Sequence, residues 1–595
     1  MSPSPGDILR VRLDASTAHA TRDAAPDASD AYGAPGAYGA SGFPGGRGRA
    51  VLELLPKAHL PLDHPDMPLC LFGGPLSGTA APLCGRSVAA AISPLTGTVF
   101  DAQLGGRLAF ELAKSHLAGL VVTGRAAVPS GLVIEDGRAR LTPCPEAAGL
   151  TTYELALGLR RPGALLCVGP AAFAGSPLAG IVTGRPGRVS RGGLGLCLAA
   201  KNLVYVAVSG SGRVSVADPA GFFAARADLL RLTAASPALS GAHGLSRYGT
   251  AALTDLTDSL CMTPTRNFRD TRFPGHMAVN APALLREYAP RRAGCRACHL
   301  PCGRVAADGT PLPGMDALSH FTALAGNPDL KTAVAANARC VAMGLDPVSA
   351  ASALACHAEI SGEPLPPDRL LALVDDMGHG RGLGRELARG AAAYARDAGR
   401  PEAAMAVKDL ELAAYDPRGA YGLALSYAVS TRGGCHLRAF CIGHEVLRKP
   451  VATDRFDFAG KARILFQAEN ALAAMDSLVA CPYLALAASL EELAPVLCAV
   501  TGCAADPGEM ARAGERVVYA ERIINARRGF TAKQDDLPQR FFAEPGTPGE
   551  DFFVPPIDRA AFLAARAAYY RLRGLTPDGL PRADSARELG LPWTA

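Results

Sequence analysis

Residues 407–440 read VKDLELAAYDPRGAYGLALSYAVSTRGGCHLRAF. Near the end of this stretch Gly433 and Gly434 precede Cys435 and His436, with Arg438 close behind. Glycine carries no Cβ, so the backbone there can pass close to a bound group, and the imidazole of His436 would project toward that group. A core histidine satisfied by a carbonyl is the ordinary alternative. The segment alone does not choose between them.

A second stretch, GCRACHLPCGR at 294–304, holds three cysteines at CxxCxxxC spacing. Three thiolates that close can reach one soft metal centre, and thiolates select zinc, copper(I) or an iron–sulfur cluster. Spacing leaves these open, and His299 could serve as one of four zinc ligands. The chain has 16 cysteines. A disulfide framework is not expected of a cytosolic protein, and residues such as Cys167, Cys356 and Cys498 sit in apolar surroundings that read as core.

At 595 residues the chain exceeds one hydrophobic core, so two to four domains are expected, with room to bury a large cofactor. Its 60 Lys and Arg against 55 Asp and Glu give a net charge of +5, interspersed rather than gathered into basic blocks, so no nucleic-acid footprint is expected. The start, MSPSPGDILRVRL, lacks the charged and apolar regions of a secretory signal, and no uncharged apolar run of about 18 residues is present. A cytoplasmic protein with no membrane partner is the expectation.

Residues 20–48 are rich in Ala, Gly, Pro and Ser, and 20–42 is expected to be a mobile insertion. From about 50 to 215, apolar runs such as LVVTG and LVYVAVSG alternate with Gly/Pro turns, a strand-rich pattern. Beyond that the pattern turns helical, and Asp346 followed by Pro347 reads as an N-cap. The expected fold class is α+β: a β-rich domain (1–215), then two mainly helical domains (216–405 and 406–595), with the cofactor between them.

Taken together, these segments resemble the tungsten-containing aldehyde ferredoxin oxidoreductase family. The resemblance rests on 407–440 and on FPGGRG (43–48), GPLSGTAAPLCGR (74–86), SPLTGTVFDAQLGG (93–106), RGGLG (191–195), AKNLVYVAVSG (200–210), TPTRNF (263–268) and MDSLVAC (475–481), in the family's order. It implies a [4Fe–4S] cluster on Cys295, Cys298, Cys302 and Cys481. It also implies tungsten, or molybdenum, held by two pterins whose phosphates are bridged by magnesium. By motif position the cofactor residues are Arg86, Gln103, Gly105, Arg191, Gly192, Leu345, Asp346, Asp476 and Ala480, with Thr431, Arg432, Gly433, Gly434, Cys435 and Arg438.

Four motifs depart from the family pattern. DxxGLD reads VAMGLD, with Val341 for a carboxylate, and DxxGLC reads DSLVAC, with Val479 and Ala480 for Gly-Leu. Gln103 replaces the usual asparagine, and MDALSHFTALAG (315–326) places His320 where a glutamate is expected. The implied reaction takes an aldehyde and water to a carboxylic acid, with electrons leaving through the cluster to ferredoxin. His436 is the first choice for moving a proton, Tyr415 for donating to a substrate oxygen, and His320 is the further catalytic candidate, although Asp316 or Ser319 are alternatives for the residue facing the pocket. Competing expectations are reduction of an aromatic thioester, and a non-catalytic iron–sulfur electron-transfer or scaffold subunit. A homodimer or a complex with an electron-transfer subunit fits either enzyme.

Overall fold

A computed structural model describes residues 6–23, 45–159, 162–184, 187–449 and 451–593. Twelve strands build two mixed six-stranded sheets from the first part of the chain. One contains β1 (Asp7–Leu13), β2 (Ala18–Asp23), β3 (Leu69–Phe72), β4 (Ser87–Ile92), β5 (Val99–Leu104) and β6 (Leu117–Gly124), in the order β2-β1-β6-β3-β4-β5. The other contains β7 (Ser130–Glu135), β8 (Arg138–Pro143), β9 (Ala164–Cys167), β10 (Val182–Thr183), β11 (Arg188–Val189) and β12 (Leu203–Ser209), in the order β11-β10-β9-β12-β7-β8.

Each sheet has one parallel pair, β1 with β6 and β12 with β7; the remaining neighbours are antiparallel. Central strands such as β3 and β4 are buried throughout, which is why they read as continuous apolar runs instead of alternating ones. Leu71, Ala89, Leu132, Leu166 and Val206 belong to one core that spans both sheets. Strand β2 takes in residues 20–23 of the stretch expected to be a mobile insertion; residues 24–42 lie outside the described residues.

Helices follow. The first, α1 (Gly46–Leu54), is inserted between β2 and β3, and lies against β4 and against two late helices, α4 (Lys461–Ser477) and α5 (Pro507–Arg527). The β-rich part and the C-terminal helices thus share a core, to which Val51, Ile92, Leu465 and Val518 all contribute. Between them in sequence, α2 (Leu330–Met343) ends at Gly344 in the left-handed region, φ 68°, and α3 (Pro347–Ser361) starts after Asp346, whose carboxylate accepts the Val348 N–H at 3.0 Å. The N-cap expected at Asp346 is present.

Candidate cofactor and active site

The ribbon of β13 (Arg291–Ala293) and β14 (Gly303–Val305) pairs Ala293 with Gly303, so the loop between its strands returns Cys302 toward Cys295. Cys481 reaches the same place from far along the chain: its N–H donates to the Leu83 carbonyl at 2.7 Å, just after α4 ends. Burial pushes the Cys481 thiol up to about 11, with Arg86 pulling down and Cys302 and Cys295 pushing up. Burial takes Cys298 to about 12, and Cys481, Cys295 and Cys302 all add to it. The four sulfurs lie within electrostatic reach of one another. Cys340 is elsewhere, buried on α2 with Asp346 and Asp375 as its charged neighbours.

Two guanidinium groups flank the sulfurs. Arg86 Nη1 lies 3.8 Å from Cys481 Sγ, and Arg188 Nη2 lies 3.7 Å from Cys302 Sγ. Gly105 is needed here, because a Cβ would come 2.9 Å from Cys295 Sγ. Among the described residues no three His, Cys, Asp or Glu side chains close tightly enough around a point to ligate a single ion. Four cysteine sulfurs brought from two distant segments could hold a polynuclear iron–sulfur cluster, in which each would bind a different iron.

Beside the sulfurs lies a first cradle of charged groups. Gln103 Nε2 donates to Asp476 Oδ1 at 2.5 Å and to the Ala480 carbonyl at 3.0 Å, while Arg86 Nη2 donates to the Gln103 carbonyl at 2.8 Å. Arg47 Nη1 reaches Asp476 Oδ2 at 3.2 Å, and its other two nitrogens clamp Glu521 at 2.8 Å each. Arg438 donates to Asp101 Oδ1, and Arg432 Nη1 to the Asp101 carbonyl at 2.5 Å. Burial pushes the Asp476 carboxyl up, more than Arg47 lowers it. On Asp101 the balance reverses: burial raises it, but Arg438, Arg432 and Arg47 hold it well below the carboxylate range.

A second cradle lies on the other side. Arg191 Nε donates to Asp346 Oδ2 at 2.9 Å, and Nη2 to Ser349 Oγ at 3.2 Å and to the Glu411 carbonyl at 3.0 Å. Ser349 Oγ is 2.7 Å from both Asp346 Oδ2 and Glu411 Oε2. Gly192, at φ 74°, packs so closely on Phe100 that a Cβ would meet the ring at 2.5 Å. Leu345 is bridged to Ala179 beneath.

Arg86, Gln103, Arg191, Asp346, Tyr415 and His436 all line one cavity of about 590 Å³, together with Cys295 and Cys302. The Tyr415 and His436 rings lie 5.2 Å apart between centroids. Burial lowers the His436 pKa, and Asp316 partly restores it. Asp316 lines the cavity and accepts the Ala414 N–H at 3.0 Å. Burial raises its carboxyl, but His436, the Ala414 N–H, His320 and Arg191 outweigh that and hold it low.

His320 behaves differently from the expectation. It is fully buried at the start of a π-helical turn, with Nδ1 2.7 Å from the Asp316 carbonyl and Nε2 3.1 Å from the Leu412 carbonyl, and it does not line the cavity. Thr431 also lies behind it, its Oγ1 donating to Glu521 at 2.6 Å. The glycine pair serves a different neighbour from the one expected: Cβ atoms on Gly433 and Gly434 would each meet Leu410 at 2.7 Å, so the close approach is to the hairpin 406–411. Cys435 Sγ accepts from Arg432 Nη2 at 2.8 Å.

Glu411, Asp101 and Glu521 were not read from sequence. Their signal is a carboxylate set among apolar positions, as in VFDAQL and VVYAERII, which marks a buried charge needing a partner. Arg47 falls in FPGGRG, where nothing local marks its distant carboxylate partners.

The family model described as aldehyde ferredoxin oxidoreductase, N-terminal domain, matches residues 38–210, and that for domains 2 and 3 matches residues 225–591. The chain belongs to the aldehyde ferredoxin oxidoreductase family. It is therefore related to oxidoreductase enzymes. Tungsten-containing aldehyde ferredoxin oxidoreductases of Pyrococcus furiosus and Thermococcus kodakarensis are each 32% identical to it, over 92% of this chain and 94% of theirs. The aldehyde ferredoxin oxidoreductase fold also matches a solved structure titled as the active site complex BamBC of benzoyl coenzyme A reductase with 1,5-dienoyl-CoA. The TM-score is 0.81 and the identity 19%, over 99% of this chain and 97% of that one. Among the described residues no helix is long and apolar enough to cross a membrane.

The fit to the family's cofactors is tested by polar atoms left without partners. Arg86 Nε, Gln103 Oε1, Arg432 Nε, Arg438 Nε and Nη1, and His436 Nδ1 are buried with no hydrogen-bond partner among the described residues. Such groups cost about 1–3 kcal/mol each unless something satisfies them. They lie in the first cradle and at His436, where an anionic, nitrogen-rich cofactor would satisfy them.

Proposed function

We propose that this chain oxidises an aldehyde with water to a carboxylic acid, RCHO + H₂O → RCOOH + 2 e⁻ + 2 H⁺, using tungsten or molybdenum on two pterins. Bound there, that centre would accept the electron pair from the substrate, and the [4Fe–4S] cluster on Cys295, Cys298, Cys302 and Cys481 would pass electrons singly to ferredoxin. Asp476, Gln103, Ala480 and Arg86 would hold one pterin; Asp346, Leu345, Arg191 and Gly192 would hold the other. Magnesium would neutralise the facing phosphates.

The single observation carrying the reading is His436 Nδ1, a buried nitrogen with no partner, beside Tyr415 in the cavity that both cradles share. Its lowered pKa leaves the imidazole neutral at pH 7, ready to take a proton from the attacking water. Asp316 lies close enough to stabilise the imidazolium so formed. Tyr415 stays protonated, since burial, Asp316 and Tyr483 push its hydroxyl well up, and it is placed to donate to the substrate carbonyl oxygen.

The test is anaerobic purification, elemental analysis and a panel of aldehydes with a viologen dye. The expected result is about one W or Mo beside about four Fe per chain, with aldehyde-dependent dye reduction. Iron without W or Mo, and no turnover, would return the scaffold reading to first place.

A further inference from the structure

Charge is interspersed over the chain as a whole, but the segment that carries the three clustered cysteines is an exception. Residues 288–304, YAPRRAGCRACHLPCGR, contain four arginines and no Asp or Glu. Arg304 is turned inward and buried, donating to the carbonyls of Pro301 at 2.9 Å, Gly303 at 2.7 Å and Ser246 at 2.8 Å. That pins the ribbon, and leaves its other arginines outside.

Arg291, Arg292 and Arg296 are exposed, and among the described residues none of them is in an ion pair. Arg188, at the Cys302 sulfur, faces the cavity and belongs to the site rather than to this surface. Cys298, in the same loop as Arg296, is half-buried without lining the cavity, so the cluster loop comes near the outer surface among these arginines. Uncompensated positive charge around an electron exit attracts a negatively charged surface, and such complementarity sets encounter rate and orientation more than it sets tightness.

We propose that the ribbon Arg291–Val305, through Arg291, Arg292 and Arg296, is the docking face for a small acidic iron–sulfur protein that receives electrons from the cluster. This rests on the electron-transfer reading given above. In each encounter the reduced cluster loses one electron and the carrier gains it; no proton or bond changes hands. The contact is transient, because electron-transfer encounters are small and polar.

The test compares the anaerobically purified holoenzyme with its Arg291→Glu/Arg292→Glu variant. The probe is a small acidic [4Fe–4S] ferredoxin, its binding measured by calorimetry at low and high ionic strength, with iron content and viologen-linked turnover alongside. Reversal should weaken binding about tenfold at low salt and flatten its salt dependence, while iron content and dye turnover stay within about twofold. Unchanged affinity in an iron-replete variant would overturn the proposal, as would a wild-type complex that survives high salt. If the reversed variant loses iron, Arg291→Gln/Arg292→Gln must weaken binding in the same direction or the proposal falls. Absent dye turnover in the wild type, with ferredoxin binding still lost on reversal, would overturn the catalytic reading and leave the docking face standing.

Discussion

Arg86 and Cys481 are 395 positions apart in the chain and meet with Nη1 3.8 Å from Sγ. The other arm of the same guanidinium donates to the Gln103 carbonyl, and the Gln103 side chain in turn holds Asp476 and Ala480. One arginine therefore ties the proposed cluster to one of the proposed pterin cradles. A displaced Cys481 would disturb both.

Cys481→Ala should lose most of the iron, because three thiolates leave one iron of a [4Fe–4S] cluster unligated. Cys340→Ala, which removes a buried sulfur on α2 among carboxylates, should keep a full complement. Iron per chain after anaerobic desalting checks both. Retained iron in the Cys481 variant would refute the ligand assignment.

Glu521 sits on α5 and clamps Arg47 of α1, and all of it is buried. Its carboxyl is lifted by burial, but Arg47 and Arg438 more than compensate and keep it low. Glu521→Ala strands a buried guanidinium and should destabilise the apoprotein by about 3–5 kcal/mol, whereas an exposed Glu→Ala such as Glu146→Ala should cost under about 0.5 kcal/mol. Chemical denaturation of the two variants side by side measures the difference.

Motifs with obligatory backbone geometry were the legible part of the sequence. VAMGLD turns on Gly344 at φ 68°, and DSLVAC makes the corresponding turn at Val479, φ 59°, although the family's glycine is gone. A β-branched residue there costs about 1–2 kcal/mol, so the turn is held by its surroundings and the motif remains readable through Asp476 and Cys481. The strand-rich start was legible too, because buried strands are plain apolar runs. What was not legible depended on pairing between residues far apart in the chain: Arg47 with Glu521, 474 positions apart, and Arg188 with Cys302, 114 apart. Nothing local in FPGGRG or in α5 says that the two will share a cradle. His320 was misplaced for a related reason, since the carbonyl that fixes it, Leu412, lies in another segment.

His320 should prove a stability residue. Removing its ring leaves a void and takes away the one N–H that the neutral ring donates to a buried carbonyl, so His320→Ala should cost about 2–5 kcal/mol. Burial also lowers its pKa, and that fixes a sign. Below the ordinary histidine value of about 6.5 the unfolded chain takes up a proton that the folded chain refuses, so stability should fall as pH drops from about 7 toward 5. The dependence should be shallower in His320→Ala. An equal slope in wild type and variant would mean that other groups carry it.

His436 should show its role in the acid limb of the rate profile. The neutral imidazole is the working form, and burial keeps its pKa below the ordinary value, so kcat/KM of the metallated enzyme should be flat above about pH 6.5 and fall only at lower pH. Asp316 raises that pKa by favouring the imidazolium; Asp316→Asn should therefore move the acid limb further down, and lower turnover by withdrawing the stabilising charge. His436→Asn should keep iron, W or Mo, and folding stability within about 1 kcal/mol, because Nδ1 has no partner to lose, while turnover drops about 10²–10⁴-fold and the acid limb disappears. Turnover and pH profile matching the wild type in a fully metallated His436→Asn variant would remove this histidine from the proton path and leave Asp316 as the cavity group to test next.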